Sequence, residues 1–213
     1  LSQPRTALVP PGQADELGDP IARFAGASKG FHFETTRLHR GGEAIPVSIS
    51  VAPIYDADGQ LLGVTKIIRD SRVQVQAAQV LAESEARFRA LSEASPLGVF
   101  ATDAQGSCTY TNAQWQAICG LALAPSLGDG WAASVHPDER EKVLSDWKLA
   151  VEQGVPWDRE FQVMFADGQT RSVRSRAQAN RGSHGTVAGY VGSLEDVTEQ
   201  RRVDRALSDE RLR

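Results

Sequence analysis

The feature that most constrains this chain is an internal repeat. The stretch from Trp157 to Asp196 has a second copy 126 positions earlier, starting at Phe31 and running without a gap. Glu34 falls on Glu160, Gly42 on Gly168, Val47 on Val173, Gly59 on Gly185, Gly63 on Gly189 and Asp70 on Asp196. Both halves must therefore satisfy one supersecondary unit.

The shared pattern is that of three consecutive strands. Ile45, Val47, Ile49 and Val51 alternate with Pro46, Ser48, Ser50 and Ala52, the period of two of a strand with one buried face. Gly41-Gly42 and Asp167-Gly168 read as two-residue turns, because such hairpins need the positive φ that Gly and Asp tolerate. Asp58-Gly59 and His184-Gly185 mark the next turn. Each copy is expected to be an antiparallel meander.

With 213 residues and a net charge of −4, the composition is that of a soluble globular chain of one or two domains. The mildly acidic balance argues against nucleic acid as a partner. No apolar run approaches the roughly 18–20 residues of a membrane span, and Leu1 to Val9 lacks the form of a signal peptide. A cytoplasmic setting is the expectation. Cys108 and Cys119 form neither a C-x-x-C pair nor a disulfide framework, so both read as packing residues.

Ahead of the first three strands, Gly12 to Ser28 reads as a helix with Leu17, Ile21 and Phe24 on one side. The matching helix in the second copy is clearer. Pro137 suits its first turn, Asp138 and Glu139 suit its positive end, and Val143, Trp147, Leu149 and Val151 supply an apolar side up to Gly154.

Between the copies, Ser71 to Ala94 contains neither Gly nor Pro and favours helix. Ala77, Leu81, Ser84, Phe88 and Leu91 follow the a/d spacing of a coiled coil, which fits either a dimer seam or a helix packed on its own domain. Then Leu97–Thr102 and Ser107–Thr111 read as strands, with Asn112 capping a helix over Ala113–Cys119 that Gly120 stops. The domain layout is thus 1–70, a helical linker 71–94, a complete domain 95–198 and the start of an outgoing helix 199–213. No counterpart of the two leading strands precedes the first copy. Residues 1–70 are therefore expected to pack on another chain or on strands outside this sequence.

The runs "SEARFRALSEASPLGVFATDAQGSCTYTN", "HPDEREKV", "ADGQTRSVR" and "GYVGSLEDVTEQ" together resemble a PAS domain, and "HFETTRLHRGGEAIPVSIS" with "DADGQLLGVTKIIRD" repeats its second half. The resemblance implies an α+β fold, a five-stranded antiparallel sheet with flanking helices and helical linkers. It also implies a sensor, dimerisation or relay module, in which a closing Asp-x-Thr triad ties the last strand to the outgoing helix. Here the triad is Asp196-Val197-Thr198, whereas the first copy has Asp70-Ser71-Arg72, with Arg where Thr would stand and Ser71 as the hydroxyl available to substitute.

The resemblance also bears on cofactors. Haem-binding members carry a His on the helix before the three strands, and neither 15–28 nor 138–153 contains one. His136 reads as a helix-entry contact, His184 as a solvated turn residue, and His32 and His39 as opposite faces of one strand. Covalent flavin needs a Cys in an Asn-Cys-Arg-Phe-like motif, where this chain has "GDGWAASVHP". A noncovalent small ligand stays open, with Trp115, Trp131, Trp147 and Trp157 as cavity candidates.

No nucleophile elbow, phosphate loop or zinc motif is present, and Gly41-Gly42-Glu43 lacks the rest of a cyclase signature, so the chain is expected to catalyse nothing. Arg174 and Arg176 share an outward strand face that reads as a solvated edge. The resulting expectation is a homodimeric sensory module of a larger signalling protein, a histidine kinase with an output domain downstream. The alternatives are a diguanylate cyclase or phosphodiesterase segment, or a ligand-free dimerisation scaffold.

Overall fold

A computed structural model describes residues 8–11, 29–182 and 185–211, with side chains through Ser208. The expected helix over Gly12–Ser28 and the position of His184 lie outside the described residues. The chain forms two compact units that divide between Ala86 and Arg87.

In the first unit, β1 (Phe31–Leu38), β2 (Ala44–Tyr55) and β3 (Leu61–Asp70) form a meander in the order β1-β2-β3. Its buried face carries Ile45, Val47, Ile49 and Val51, the residues whose alternation predicts it, with Phe31, Phe33, Leu61 and Val64 packed around them. Helix α1 (Arg72–Glu93) follows as one uninterrupted 22-residue helix, exposed from Arg72 to Leu91.

The second unit contains β4 (Gly98–Thr102), β5 (Cys108–Thr111), α2 (Ala113–Cys119), the short α3 (Leu123–Ser126), a 3-10 turn over Gly130–Ser134 and α4 (Pro137–Gln153). These are followed by β6 (Trp157–Met164), β7 (Thr170–Arg181), β8 (Val187–Asp196) and α5 (Thr198–Arg211). Its sheet is five-stranded and antiparallel, ordered β5-β4-β8-β7-β6. In this unit β4 lies against β8, an edge that β3 does not have covered among the described residues.

The repeat holds down to hydrogen-bond register. Phe31 faces Val51 as Trp157 faces Ala177, and Val47 faces Asp70 as Val173 faces Asp196. Even the irregularity recurs, at Ile54/Tyr55 and at Asn180/Arg181.

Two local expectations need correction. The hairpins have three-residue loops, not two: His39 N–H bonds to Glu43 O while Gly42 N–H bonds to His39 O, and Phe165, Gly168 and Gln169 repeat this arrangement. Each loop closes on a Gly at positive φ, 82° at Gly42 and 83° at Gly168, forming a bulge that absorbs the extra residue. Consequently His39 lies in the turn, one residue past the strand that was expected to carry it. On α4 the buried stripe is Val143, Trp147 and Ala150, spaced four and three, whereas Leu149 is exposed. At about 100° per residue, Leu149 sits some 200° from Trp147 and faces solvent.

Candidate functional site

The centre of the second unit is aromatic. Trp147 on α4 meets Phe100, Trp157 and Tyr190 edge-on, with ring centroids 6.4, 5.4 and 5.3 Å away. Its indole N–H donates to Gly106 O at 3.0 Å, and the buried Tyr190 hydroxyl donates to Ala150 O at 3.2 Å, so both polar tips are satisfied. Gly106 has a φ of 85°, and a Cβ there would lie 3.0 Å from the Trp147 indole nitrogen.

Beside this cluster lies a small pocket of about 40 Å³. All four tryptophans named from the sequence, Trp115, Trp131, Trp147 and Trp157, line it, together with Ser175 of β7 and Leu194 of β8. Such a volume holds a few waters or a ligand of a few heavy atoms, well below the roughly 300 Å³ where pockets for larger ligands begin. The repeat explains why the room is here. Ser175 and Ala177 occupy the positions that Ile49 and Val51 fill in the first copy, so the second sheet is trimmed under its tryptophans.

Cys108 and Cys119 also line the pocket. Burial pushes the Cys119 thiol up to about 12 and raises Cys108 as well, which keeps both protonated and poorly nucleophilic near neutrality. Among the described residues, no three His, Cys, Asp or Glu side chains gather as a metal site. His136 caps α4, its Nδ1 accepting from Asp138 N–H at 3.3 Å. Glu139, expected only to favour the helix dipole, also accepts from Gln162 N–H on β6 at 2.9 Å.

The incoming helix is held by Asn112, which is fully buried. Its Nδ2 donates to Ser92 O at 2.7 Å and Leu97 O at 3.1 Å, and its Oδ1 accepts from Val99 N–H at 2.8 Å and Trp115 N–H at 2.9 Å. One amide thus joins the end of α1, the start of β4 and the first turn of α2. Glu93 adds a second tie, accepting from Ala113 N–H and from the Tyr110 hydroxyl, whose oxygen also lies 3.1 Å from the Ser92 hydroxyl. Sequence reasoning finds the Asn112 cap but misses Ser92, Glu93 and Tyr110, because only folding brings residues 17 to 20 positions apart into contact.

Of the proposed seam, Ala77, Leu81 and Leu91 are exposed, and Phe88 is partly occupied by an edge contact to Tyr110 at 5.6 Å. Phe88 is 44% exposed and touches Tyr110 of its own domain along one ring edge.

The outgoing helix is held by the triad. Thr198 Oγ1 donates to Asp196 Oδ1 at 2.6 Å and accepts from Ser172 N–H at 3.0 Å, while Asp196 Oδ1 also accepts from Thr198 N–H. Val197 N–H donates to Ser172 O at 2.9 Å, and Arg201 forms an ion pair with Glu160 of β6. The triad joins α5 to β7, and Arg201 extends the joint to β6.

In the first copy Ser71 N–H reaches Pro46 O at 3.0 Å, as Val197 does Ser172. The expectation that the Ser71 hydroxyl substitutes for Thr is corrected. Ser71 acts through its backbone, and Arg72 grips Asp70 directly, with Nε–Oδ2 at 2.9 Å and Nη2–Oδ2 at 2.7 Å. On the outer face of the second sheet, Arg174 makes a bidentate contact to Asp158 at 3.0 and 2.8 Å, and Arg176 approaches the same carboxylate at 3.7 Å. No described helix is long and apolar enough to cross a membrane.

Comparison with known proteins covers both copies. A family model described as "PAS fold" matches residues 92–202, and one described as "PAS domain" matches residues 4–72. An uncharacterized protein y4lL of Sinorhizobium fredii is 31% identical over 95% of this chain and 23% of its own length. The peroxide stress-activated histidine kinase mak1 of Schizosaccharomyces pombe is 34% identical over 57% of this chain and 8% of its own. The chain spans less than a quarter of the length of the curated relatives it matches. Among solved structures, an RNA-binding light-oxygen-voltage receptor shares the fold, with a TM-score of 0.50 at 13% identity over 91% of this chain and 85% of that one. With one family model matching 92–202, more than half of the chain, and a second matching 4–72, the chain belongs to the PAS domain family.

Proposed function

We propose that this chain is a non-catalytic sensory relay within a larger cytoplasmic signalling protein, with a histidine kinase as its output. A small uncharged ligand, or a change in packing at the aromatic pocket, alters the second sheet, and α5 carries the change onward. One observation carries the reading: the pocket wall and the grip on the outgoing helix share two strands. Ser175 and Leu194 line the pocket, while Ser172 and Asp196, three and two residues away on β7 and β8, hold Thr198. A shift of either strand reaches both places. The similarity to a segment of a histidine kinase supports the choice of output.

Homodimerisation through α1 completes the proposal. Leu81 and Leu91, 60% and 69% exposed, present an apolar stripe that a second copy would cover. A dimer gives the helices two discrete arrangements, and a ligand shifts the balance only if it binds one arrangement better.

Native mass spectrometry of the purified chain, set against its denatured mass, tests both parts. A dimer that loses a small mass on denaturation supports the sensor. A bare dimer supports the dimerisation scaffold, and a bare monomer contradicts both.

A further inference from the structure

The two copies hold their outgoing helices by different chemistry, and the difference involves two positions at once. In the second copy, the Thr198 hydroxyl sits between a donor, Ser172 N–H, and an acceptor, Asp196. The residue matching Ser172 in the first copy is Pro46, which has no N–H. A Thr at position 72 would find Asp70 but no backbone donor.

Arg72 stands there instead and donates from Nε to both Asp70 oxygens and from Nη2 to Oδ2, with its other guanidinium nitrogen 3.7 Å from Glu43. The second copy also has an Arg near its Asp, but it is Arg171 on the neighbouring strand, at 3.7 Å. Its first-copy counterpart is the buried Ile45. Both the donor lost at Pro46 and the cation lost at Ile45 are thus made good by one side chain on the helix itself.

We propose that Arg72 is the positioning residue of the first helix exit, coupled to Pro46, and that it makes this exit an ionic latch while Ser172–Thr198 remains a hydroxyl latch. The Asp70 and Arg72 side chains are 43% and 47% exposed, so dissolved ions reach the first latch and screen it. At the second exit the Thr198 hydroxyl also donates to the Asp196 carboxylate, but the bond that fixes the helix to β7, Ser172 N–H to Thr198 Oγ1 at 3.0 Å, joins two neutral groups and is little screened by salt. An exit that loosens with ionic strength would make α1 responsive to the ionic setting as well as to signals reaching it from the first domain. That consequence rests on reading α1 as a relay; the latch itself does not.

Site-resolved amide exchange on the whole chain tests the latch whether or not a signal passes. In the unaltered protein, raising sodium chloride to about 1 M, where the screening length falls to about 3 Å, should speed exchange at the Arg72 and Val75 amides about threefold and leave the Ser172 amide unchanged. Arg72→Thr alone should speed the first pair by a similar factor. Pro46→Ser with Arg72→Thr should restore protection, make it insensitive to salt, and add a protected amide at residue 46. Equal salt response at the two exits, an unaffected Arg72→Thr, or a double variant no better than the single one would each overturn the proposal. The salt series needs no substitution, so a variant that fails to fold leaves the test intact.

Discussion

Asn112 Nδ2 donates to the Ser92 carbonyl at 2.7 Å, tying the last turn of α1 to the core of the second domain across 20 residues of sequence. The same side chain serves three other backbone groups, and it is fully buried. Removing it strands donors and acceptors that water cannot reach. Asn112→Ala should cost about 3 kcal/mol, seen as a lower denaturation midpoint at unchanged slope. Asn112→Asp should recover little, because it places acceptor oxygens opposite the Ser92 and Leu97 carbonyls.

At the other end, Thr198→Ser keeps the hydroxyl that bridges Ser172 and Asp196, whereas Thr198→Val keeps the shape and loses it. Thr198→Val should cost about 1 kcal/mol and expose the Ser172 amide to exchange. The serine variant should stay near the parent in both measurements.

The Asp70 carboxylate is held below its ordinary value, first by the side-chain bonds from Arg72 and then by the Arg72 backbone N–H. Its contribution to folding is therefore fully present above the ordinary carboxylate range, and is lost as pH falls through the lowered folded-state value. Stability curves of the parent and Asp70→Asn should lie apart at neutral pH and converge in acid.

Cys119 behaves in the opposite sense at high pH. Burial lifts its thiol from an ordinary 9.0 to about 12, so across that window the unfolded chain has released a proton that the folded chain retains. Stability should fall with rising pH through this range, and Cys119→Ala should flatten the fall. Alkylation at neutral pH should be slow in the folded protein and fast once it is denatured.

Much of the fold was legible because the repeat doubles the information. Matching glycines and alternating Ile, Val and Ser residues specify three strands, their order and even the shared register. Loop length was not legible, since a Gly closing a three-residue loop and a Gly within a two-residue turn leave the same trace. The apolar character of Leu149 misleads because a residue counts toward a helix face only if its angle agrees, and Ala150 fits where Leu149 does not.

At the candidate site, the tryptophans were recognisable as a set, and so was the cap at Asn112. The partners Ser92, Glu93 and Tyr110 were not, because their contacts depend on where the helix ends against the sheet. The departure at Arg72 was visible in the sequence, yet its meaning was hidden. It becomes intelligible only once Pro46 is seen to lie where Ser172 donates.

The central claim is that the pocket and the outgoing helix are coupled through β7 and β8. Ser175→Val, which moves the residue toward the Ile49 of the first copy, should fill part of the pocket and raise stability by up to about 1 kcal/mol. The direct measurement is amide exchange at Ser172 and along the first turn of α5 in Ser175→Val against the parent. The account predicts altered protection at those amides, with the hairpin at Phe165–Gln169 unchanged. A filled pocket that leaves Ser172 and α5 exchanging as before would contradict it.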